Sequence, residues 1–281
     1  TIHGPPEFGS LTAPAQQPLT TLLFFFPNSA SSAKTNSATA HKEGLRSYFD
    51  DAGVLTLRPA ATSALNMGVT LKGGNNHENH NHNDVGSFSI AVGDEMIMGD
   101  AGLATYTPKT FGPERYTAFK TIASYGHAVP LLAGIQQHEG PDAKAIISNL
   151  SFNEKEDKAT MDITSAYTVA GLKKMIRNFT YNRTENGFLQ VKDEVEFTSP
   201  QSYETALITR AGWKQISANT IELTGRKDKI LVTIATPGSG FKVISETITE
   251  TPLPYTRIGI QLIDPLKAGT VTMVFTPITN K

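Results

Sequence analysis

Short runs of β-branched and apolar residues recur along the chain from residue 53 onward, separated by glycine, asparagine, aspartate or proline. Several of them, such as "KATMDITSAY" and "DKILVTIA", alternate apolar and polar residues. Side chains of a β-strand point alternately to its two faces, so this alternation indicates one face in a core and one in water. A dozen or more such runs predict an all-β fold, a large antiparallel β-sandwich of two multi-stranded sheets with few short helices.

The first 45 residues have a different composition, rich in proline, serine, threonine and alanine, and they show no sustained period. We therefore predict that residues 1–45 are a linker or the tail of a preceding helical domain, and that residues 46–281 are the β-sandwich domain. Short helices are expected near Leu19–Phe26 and near His41–Phe49. Within the sandwich only "RYTAFKTIASYGH" has a helical pattern.

The charge balance gives no sign of a broad surface for polyanions. The chain has 25 basic and 26 acidic residues and a formal net charge of −1, so neither nucleic acid nor a membrane is a predicted partner. The apolar run Leu22–Phe26 is far too short to span a bilayer. The absence of cysteine excludes disulfides, thiolate metal sites and a cysteine nucleophile.

The stretch "GGNNHENHNHNDVGSF" holds three of the seven histidines of the chain, which are His77, His80 and His82. Clustered imidazoles are a common transition-metal signal in a chain without cysteine, but two of them do not complete a site. Asp100, at the end of "EMIMGD", and His127, in "SYGHAVP", are further candidates. Each is a polar residue at the edge of an apolar strand, and a polar residue at such a position indicates a specific structural or functional role.

The spacing of the histidines makes a geometric prediction. Residues i and i+2 of an extended segment face the same side, so His80 and His82 are expected to face one cavity. Asn81 and Asn83 are then expected to face away from it. Asp84 falls on the histidine side, where it is expected to hold an imidazole N–H.

A less specific interpretation stays open at this point, because a histidine- and asparagine-rich turn can also be a solvated loop. Asp100 before Ala-Gly is likewise an ordinary start of a turn. The remaining histidines, His3, His41 and His138, have no comparable surroundings and are expected at the surface or in the linker. Phosphate-loop, G-x-S-x-G and H-E-x-x-H motifs are all absent from the sequence.

Three longer stretches resemble a known family. "GGNNHENHNHNDVGSFSIAVGDEMIMGDAGLATYT" and "SYGHAVPLLAGIQQ" are similar to the C-terminal domain of heparinase II/III-type polysaccharide lyases, and "SYFDDAGVLTLRP" resembles the first strand of that domain. The resemblance covers residues 46–281. It implies a bacterial enzyme, periplasmic or secreted, in which an (α/α) toroid precedes the sandwich. Such enzymes cleave uronic-acid polysaccharides by β-elimination in the cleft between the two domains.

The resemblance also assigns roles to individual residues. His80 matches the catalytic histidine of the family, and His82, Asp100 and His127 match its metal ligands. It favours zinc, without excluding other divalent ions. In this family the metal supports the loop that carries the catalytic histidine, and it does not activate a nucleophile.

The family resemblance requires a partner domain. Its catalytic tyrosine and the group that neutralises the substrate carboxylate come from the toroid, whereas only about 45 residues precede the sandwich in this sequence. We therefore expect a missing N-terminal toroid, an anionic uronic-acid polysaccharide such as a glycosaminoglycan as substrate, and a chain that is inactive alone. Tyr106 and Arg115, on the loop after Asp100, are expected to pack within a turn more than to contact substrate.

Two other functions compete with this one. A non-catalytic carbohydrate-binding β-sandwich would need exposed aromatic platforms, and the chain has one tryptophan and an aromatic content of 8%. A cupin-like oxygenase would need a glutamate about four residues after the second histidine, where this sequence has Gly86 and Ser87. The lyase hypothesis therefore ranks first.

Overall fold

The computed structural model describes residues 44–60, 63, 66–236, 238 and 240–279. In these residues the regular structure consists of nineteen strands, one short α-helix and two 3-10 turns. All strand pairs are antiparallel, because each strand hydrogen-bonds neighbours that run in the opposite direction. The predicted all-β fold with few short helices is confirmed.

The strands form four sheets. A five-stranded sheet contains, in spatial order, β1 (Arg46–Phe49), β2 (Val54–Leu57), β3 (Met67–Lys72), β5 (Phe88–Val92) and β6 (Glu95–Met98). An eight-stranded sheet contains β14 (Gly212–Ser217), β15 (Thr220–Thr224), β16 (Asp228–Ala235), β19 (Leu266–Thr279), β12 (Phe188–Gln201), β11 (Leu172–Asn182), β10 (Glu156–Asp162) and β9 (Ile146–Phe152). A four-stranded sheet contains β17 (Phe241–Ile248), β18 (Tyr255–Leu262), β13 (Tyr203–Thr209) and β7 (Leu131–Leu132). A two-stranded sheet pairs β4 (Asn75–Asn76) with β8 (Gly140–Lys144).

The five- and four-stranded sheets together form the layer that faces the eight-stranded sheet. They meet after β6, where the Gly99 N–H donates to the carbonyl of Ile208 at 3.0 Å. One buried apolar cluster joins all three sheets. At its centre, Phe88 of β5 packs edge-on against Phe179 of β11 and Phe275 of β19. The two layers of a sandwich are present, but the second layer is divided because the chain leaves the sheet after β6.

The central strands β11 and β12 show why this sequence folds as strands. Their side chains alternate between buried and partly exposed positions along almost the whole length of both strands. Two charged residues occupy buried positions of this alternation: Arg177 and Asp193, which are paired directly in register. Both side chains are fully buried.

The Arg177–Asp193 ion pair is bidentate, with Nε to Oδ1 and Nη2 to Oδ2 both at 2.7 Å. Tyr203 donates to Asp193 Oδ2 at 2.6 Å. The remaining nitrogen of Arg177, Nη1, donates to the carbonyls of Gly86 at 3.0 Å and Ala128 at 2.6 Å. Burial would lower the pKa of Arg177, but Asp193 raises it above its ordinary value, so the guanidinium stays charged. The pair therefore satisfies two buried charges and fastens two loops to the sheet.

The helix predictions were only partly correct. The helix expected at His41–Phe49 is wrong over Arg46–Phe49, which forms β1 because it pairs in register with β2. The expected helix at Leu19–Phe26 lies outside the described residues. The "RYTAFKTIASYGH" segment contains only α1 (Arg115–Ala118) and a 3-10 turn, Ser124–Gly126. Helix α1 ends at Ala118 because the next residue, Phe119, adopts an extended conformation and is buried in a small apolar cluster.

The boundary between residues 45 and 46 stays a prediction, since the described residues begin just before it. Among the helices of the described residues, none has the length and hydropathy needed to cross a membrane.

We predict that Arg177→Met destabilises the protein by about 3–5 kcal/mol, because it leaves the Asp193 carboxylate buried without its partner. Chemical denaturation of the purified chain measures this loss. Arg226→Met is the matched control, since Arg226 is 78% exposed and pairs with Glu95 at 3.4 Å. The control should leave the free energy of unfolding almost unchanged. Equal losses in the two variants would contradict the role given to the buried pair.

Candidate metal centre and the histidine loop

Three loops bring the predicted metal ligands together. His82 lies between β4 and β5, Asp100 follows β6, and His127 follows the 3-10 turn. One potential ligand atom from each lies within 4.8 Å of the others. His127 Nδ1 is 3.3 Å from Asp100 Oδ2, and the rings of His82 and His127 have their centroids 5.2 Å apart. Two imidazoles and one carboxylate in this arrangement fit three positions of a tetrahedral metal shell.

Local hydrogen bonds hold each ligand-bearing loop. Asp100 Oδ1 accepts from the Gly102 N–H at 2.6 Å, which shapes the turn after β6. Gly102 has φ 83°, a left-handed conformation that favours glycine. The Asn83 N–H donates to the carbonyl of Ile122 at 3.0 Å, which ties the His82 loop to the segment before His127. The ligands are therefore positioned by backbone contacts between the loops.

The electrostatics of the trio suit a metal ion. Burial lowers the pKa of His82 to about 4, so this imidazole is neutral at neutral pH. Burial would raise the pKa of Asp100, but His127 and His82 hold it below its ordinary value. Burial by itself would lower the pKa of His127. The Asp100 carboxylate outweighs this effect and holds the pKa of His127 above its ordinary value. A metal ion would find a neutral imidazole and a carboxylate, and it would displace the His127 proton facing Asp100.

His80 does not share a cavity with His82, so that prediction is wrong. The turn at His80 has φ 59°, so the backbone is not extended and the i, i+2 alternation does not apply. His80 is exposed, and its ring packs edge-on against Phe111 with centroids 5.2 Å apart. The two histidines therefore have separate surroundings: His82 lies with Asp100 and His127, and His80 lies at the surface.

The residues beside the two histidines make contacts that the alternation did not predict. Asn81 and Asn83 are buried, and Asn81 Nδ2 donates to Asn83 Oδ1 and to the Tyr116 hydroxyl, both at 3.1 Å. Asp84 lies 3.2 Å from Lys72 Nζ and makes no hydrogen bond to an imidazole of the described residues. Asn83 Nδ2 in turn donates to the carbonyl of Gln137 at 3.4 Å, whereas Asn81 Oδ1 has no hydrogen-bond partner among the described residues. These two buried asparagines support the loop from inside, while residues 77–80 are exposed.

Arg115 clamps the histidine loop, a role that the sequence only hinted at through its expected turn packing. Its Nε and Nη2 donate to the carbonyl of Asn81 at 3.2 and 2.5 Å, and its Nη1 donates to the carbonyl of Thr110. The guanidinium lies 5.3 Å from the centroid of the Phe111 ring. Arg115 therefore holds both the backbone beside His80 and the aromatic ring on which His80 packs.

The other described histidines, His77 and His138, are not part of the trio. His77 is exposed, and His138 is partly exposed, with ring nitrogens that contact the carbonyls of Glu139 and Ser165. His3 and His41 lie outside the described residues. Asp84 was expected on the histidine side, but Lys72 was not predicted near the site, although a lysine at the end of the apolar strand β3 was a usable signal.

Comparison with known proteins was informative only at the level of structure. No protein-family profile and no curated protein sequence matches the chain. The crystal structure of heparan sulfate lyase HepC from Pedobacter heparinus matches 88% of this chain with a TM-score of 0.70 and 15% identity. A crystal structure of heparinase III matches 84% of it with a TM-score of 0.67 and 16% identity. In fold, the chain resembles heparinase III.

The similarity to heparinase III confirms the fold that the sequence resemblance implied. The chain spans little more than a third of these structures, 38% of the HepC chain and 37% of the heparinase III chain. At such low identity the likeness to heparinase III concerns the fold alone, so the chemistry has to be argued from the residues of this chain.

We predict that Arg115→Met releases His80 from its position. The carbonyl of Asn81 loses its two donors, so stability should fall by about 1–3 kcal/mol. The ring resonances of His80 should move toward those of a free histidine, because the ring leaves the shielding field of Phe111. Two-dimensional NMR of the histidine rings in the purified chain measures this shift.

Lys109→Met is the control for the loop, because Lys109 forms an exposed ion pair with Glu114 on the same segment. The control should leave the His80 resonances in place. Unchanged His80 resonances in Arg115→Met would show that the clamp does not position this ring.

Proposed function

We propose that the chain is a domain of a polysaccharide lyase that cleaves uronic-acid polysaccharides by β-elimination. It would hold a structural divalent metal through His82, Asp100 and His127, and it would supply His80 to the active site. The observation that carries this proposal is the pairing of a partly buried ligand trio with an exposed histidine two residues from one candidate ligand, in a fold resembling heparinase III.

The donor set favours zinc as the metal. Two imidazoles and one carboxylate leave one tetrahedral position for water, which is a common zinc arrangement. His127 is buried, whereas His82 and Asp100 are partly buried, so the centre lies at the edge of the protein interior. A metal there would connect the loop of His82 with the segments that carry Asp100 and His127. Its contribution would be to stabilise these loops, because a ligand bound only by the folded state adds to stability.

The reaction needs groups for two proton transfers. β-Elimination removes the C5 proton of the uronate, forms a C4–C5 double bond and expels the C4 oxygen, which takes up a proton. A further group must neutralise the substrate carboxylate so that the C5 proton becomes acidic. We assign one of the proton-transfer roles to His80, because its exposed imidazole can reach a substrate while Arg115 and Phe111 hold it in place.

The remaining groups would come from a partner domain. The resemblance to heparinase II/III-type lyases assigns the tyrosine and the carboxylate neutraliser to a helical toroid, and it places such enzymes in the periplasm or outside the cell. The HepC structure is described as a heparan sulfate lyase, so a glycosaminoglycan is the first substrate class to test for this chain.

A second function, carbohydrate binding without catalysis, has one observation in its favour. Tyr106 and Phe111 are 46% and 59% exposed, and their ring centroids are 5.4 Å apart. This exposed aromatic pair beside His80 is the kind of platform on which a sugar ring can stack. Binding of a uronate oligosaccharide with no turnover in any domain context would favour this function.

We predict that His82→Ala loses metal and stability together, whereas His80→Ala keeps both. His82 contributes a ligand, and His80 makes no contact with the trio. Elemental analysis of protein purified without chelator measures the metal, and thermal unfolding measures stability. At a thousandfold excess of metal over Kd the stabilisation lost is about 4 kcal/mol. Equal metal content in wild type and His82→Ala would remove His82 from the shell.

We predict that residues 1–281 alone form no unsaturated uronate from heparan sulfate or other uronate polymers, measured by ultraviolet absorbance. Joined to a catalytic toroid, the same residues should be active, and His80→Ala should lower the rate about 10²–10⁴-fold. Turnover by the chain alone would contradict the assignment of groups to a partner domain. Full turnover by His80→Ala would contradict the catalytic role of His80.

A further inference from the structure

A small cavity lies behind the metal-binding trio. Its volume is about 20 Å³, and Asp100 and His127 line it, whereas His82 does not. The cavity therefore adjoins the trio on the side of Asp100 and His127. Its other polar lining comes from β3, from the segment before β5 and from β5 itself: Thr70, Lys72, Asp84, Ser87 and Ser89.

Three polar atoms of the cavity wall are buried and make no hydrogen bond to any described residue. They are Lys72 Nζ, Asp84 Oδ1 and His127 Nε2. Lys72 Nζ and Asp84 Oδ1 form an ion pair at 3.2 Å, and Glu78 lies 3.7 Å from the same Lys72 nitrogen. Among the described residues His127 Nε2 has no such partner, and a buried polar atom that makes no hydrogen bond is costly, so a bound molecule is indicated beside the ion pair.

The size and polarity of the cavity define that molecule. A water needs about 10–15 Å³ of such space and two to four polar partners, and a cavity volume of about 20 Å³ holds one. The wall offers donors on Lys72 and His127 and an acceptor on Asp84. One water can accept from both donors and donate to Asp84, which satisfies all three atoms at once.

The two ring nitrogens of His127 differ in their surroundings. Nδ1 lies 3.3 Å from Asp100 Oδ2, whereas Nε2 is buried and makes no hydrogen bond to any described residue. The hydrogen bond made by one ring nitrogen determines which nitrogen is free to bind a metal. A donor role for Nε2–H therefore leaves the lone pair of Nδ1 directed at the metal.

We propose that His127 binds the metal through Nδ1 and that its Nε2–H donates a hydrogen bond to one buried water held by Lys72 and Asp84. This inference rests on the proposed metal site and names its outer support. Lys72 and Asp84 are then positioning residues: they act on the metal only through the water and the ring of His127.

The nitrogen assignment can be tested by NMR on the full chain labelled with nitrogen-15 and loaded with cadmium-113. We expect a one-bond coupling between the cadmium and Nδ1 of His127, and a proton on Nε2. Coupling to Nε2 would overturn this inference and leave the metal proposal intact. A chain that binds neither cadmium nor zinc would overturn the metal proposal and this assignment with it.

The water and its two holders need separate tests. A crystal structure of the wild-type chain at high resolution should show one water within hydrogen-bonding distance of Lys72, Asp84 and His127. An empty cavity, or a metal ion in it, would overturn the proposal.

Variants test the holders. Lys72→Met and Asp84→Ala should weaken zinc binding about 10–100-fold and speed up exchange of the His127 Nε2 proton, whereas Asp84→Asn keeps an acceptor and should restore part of both. Lys109→Met should change neither. Zinc affinity and proton exchange as in wild type in both Lys72→Met and Asp84→Ala would overturn the positioning role.

Discussion

The structure depends on a salt bridge inside its core. Arg177 and Asp193 occupy buried positions of two neighbouring strands, and desolvating their charges is tolerable only because every polar atom of the pair finds a partner. Two of those partners are the carbonyls of Gly86 and Ala128. Gly86 closes the loop that carries His82, and Ala128 follows His127 directly. The same guanidinium that fills the core therefore also sets the relative position of two loops of the candidate metal site.

Two histidines that are only two residues apart have different surroundings. His82 belongs to the trio with Asp100 and His127, whereas His80 has a left-handed backbone and its ring lies at the surface against Phe111. Such a backbone conformation is uncommon outside glycine, and it persists where surrounding contacts over-determine it. Here those contacts are the hydrogen bonds from Arg115 to the carbonyl of Asn81. An exposed histidine held this firmly is suited to act on a ligand from outside the domain.

Alternation in the sequence predicts side-chain orientation in the sheets but not in the histidine loop, and there is one physical reason for the difference. In β10, β11 and β12 the ladder hydrogen bonds keep the backbone extended, so alternation in sequence becomes alternation in burial. In the histidine loop no ladder does this, and the conformation is set by contacts such as that between Arg115 and Asn81, 34 residues apart. Hence the shared cavity expected for His80 and His82 was wrong. The strand at Arg46–Phe49 was missed similarly, because only pairing with β2 makes it a strand.

By itself, the sequence predicted the all-β class and the four candidate site residues, which are His80, His82, Asp100 and His127. It could do so because strand periodicity is local and the histidine motif is specific. The tertiary structure alone decided that His82, Asp100 and His127 meet while His80 does not join them, since their loops are brought together by the packing of distant strands. It alone placed Lys72 and Asp84 around one cavity with His127. The Lys72–Asp84 ion pair cannot be read from a periodic pattern in the sequence, because its position depends on which strands become neighbours.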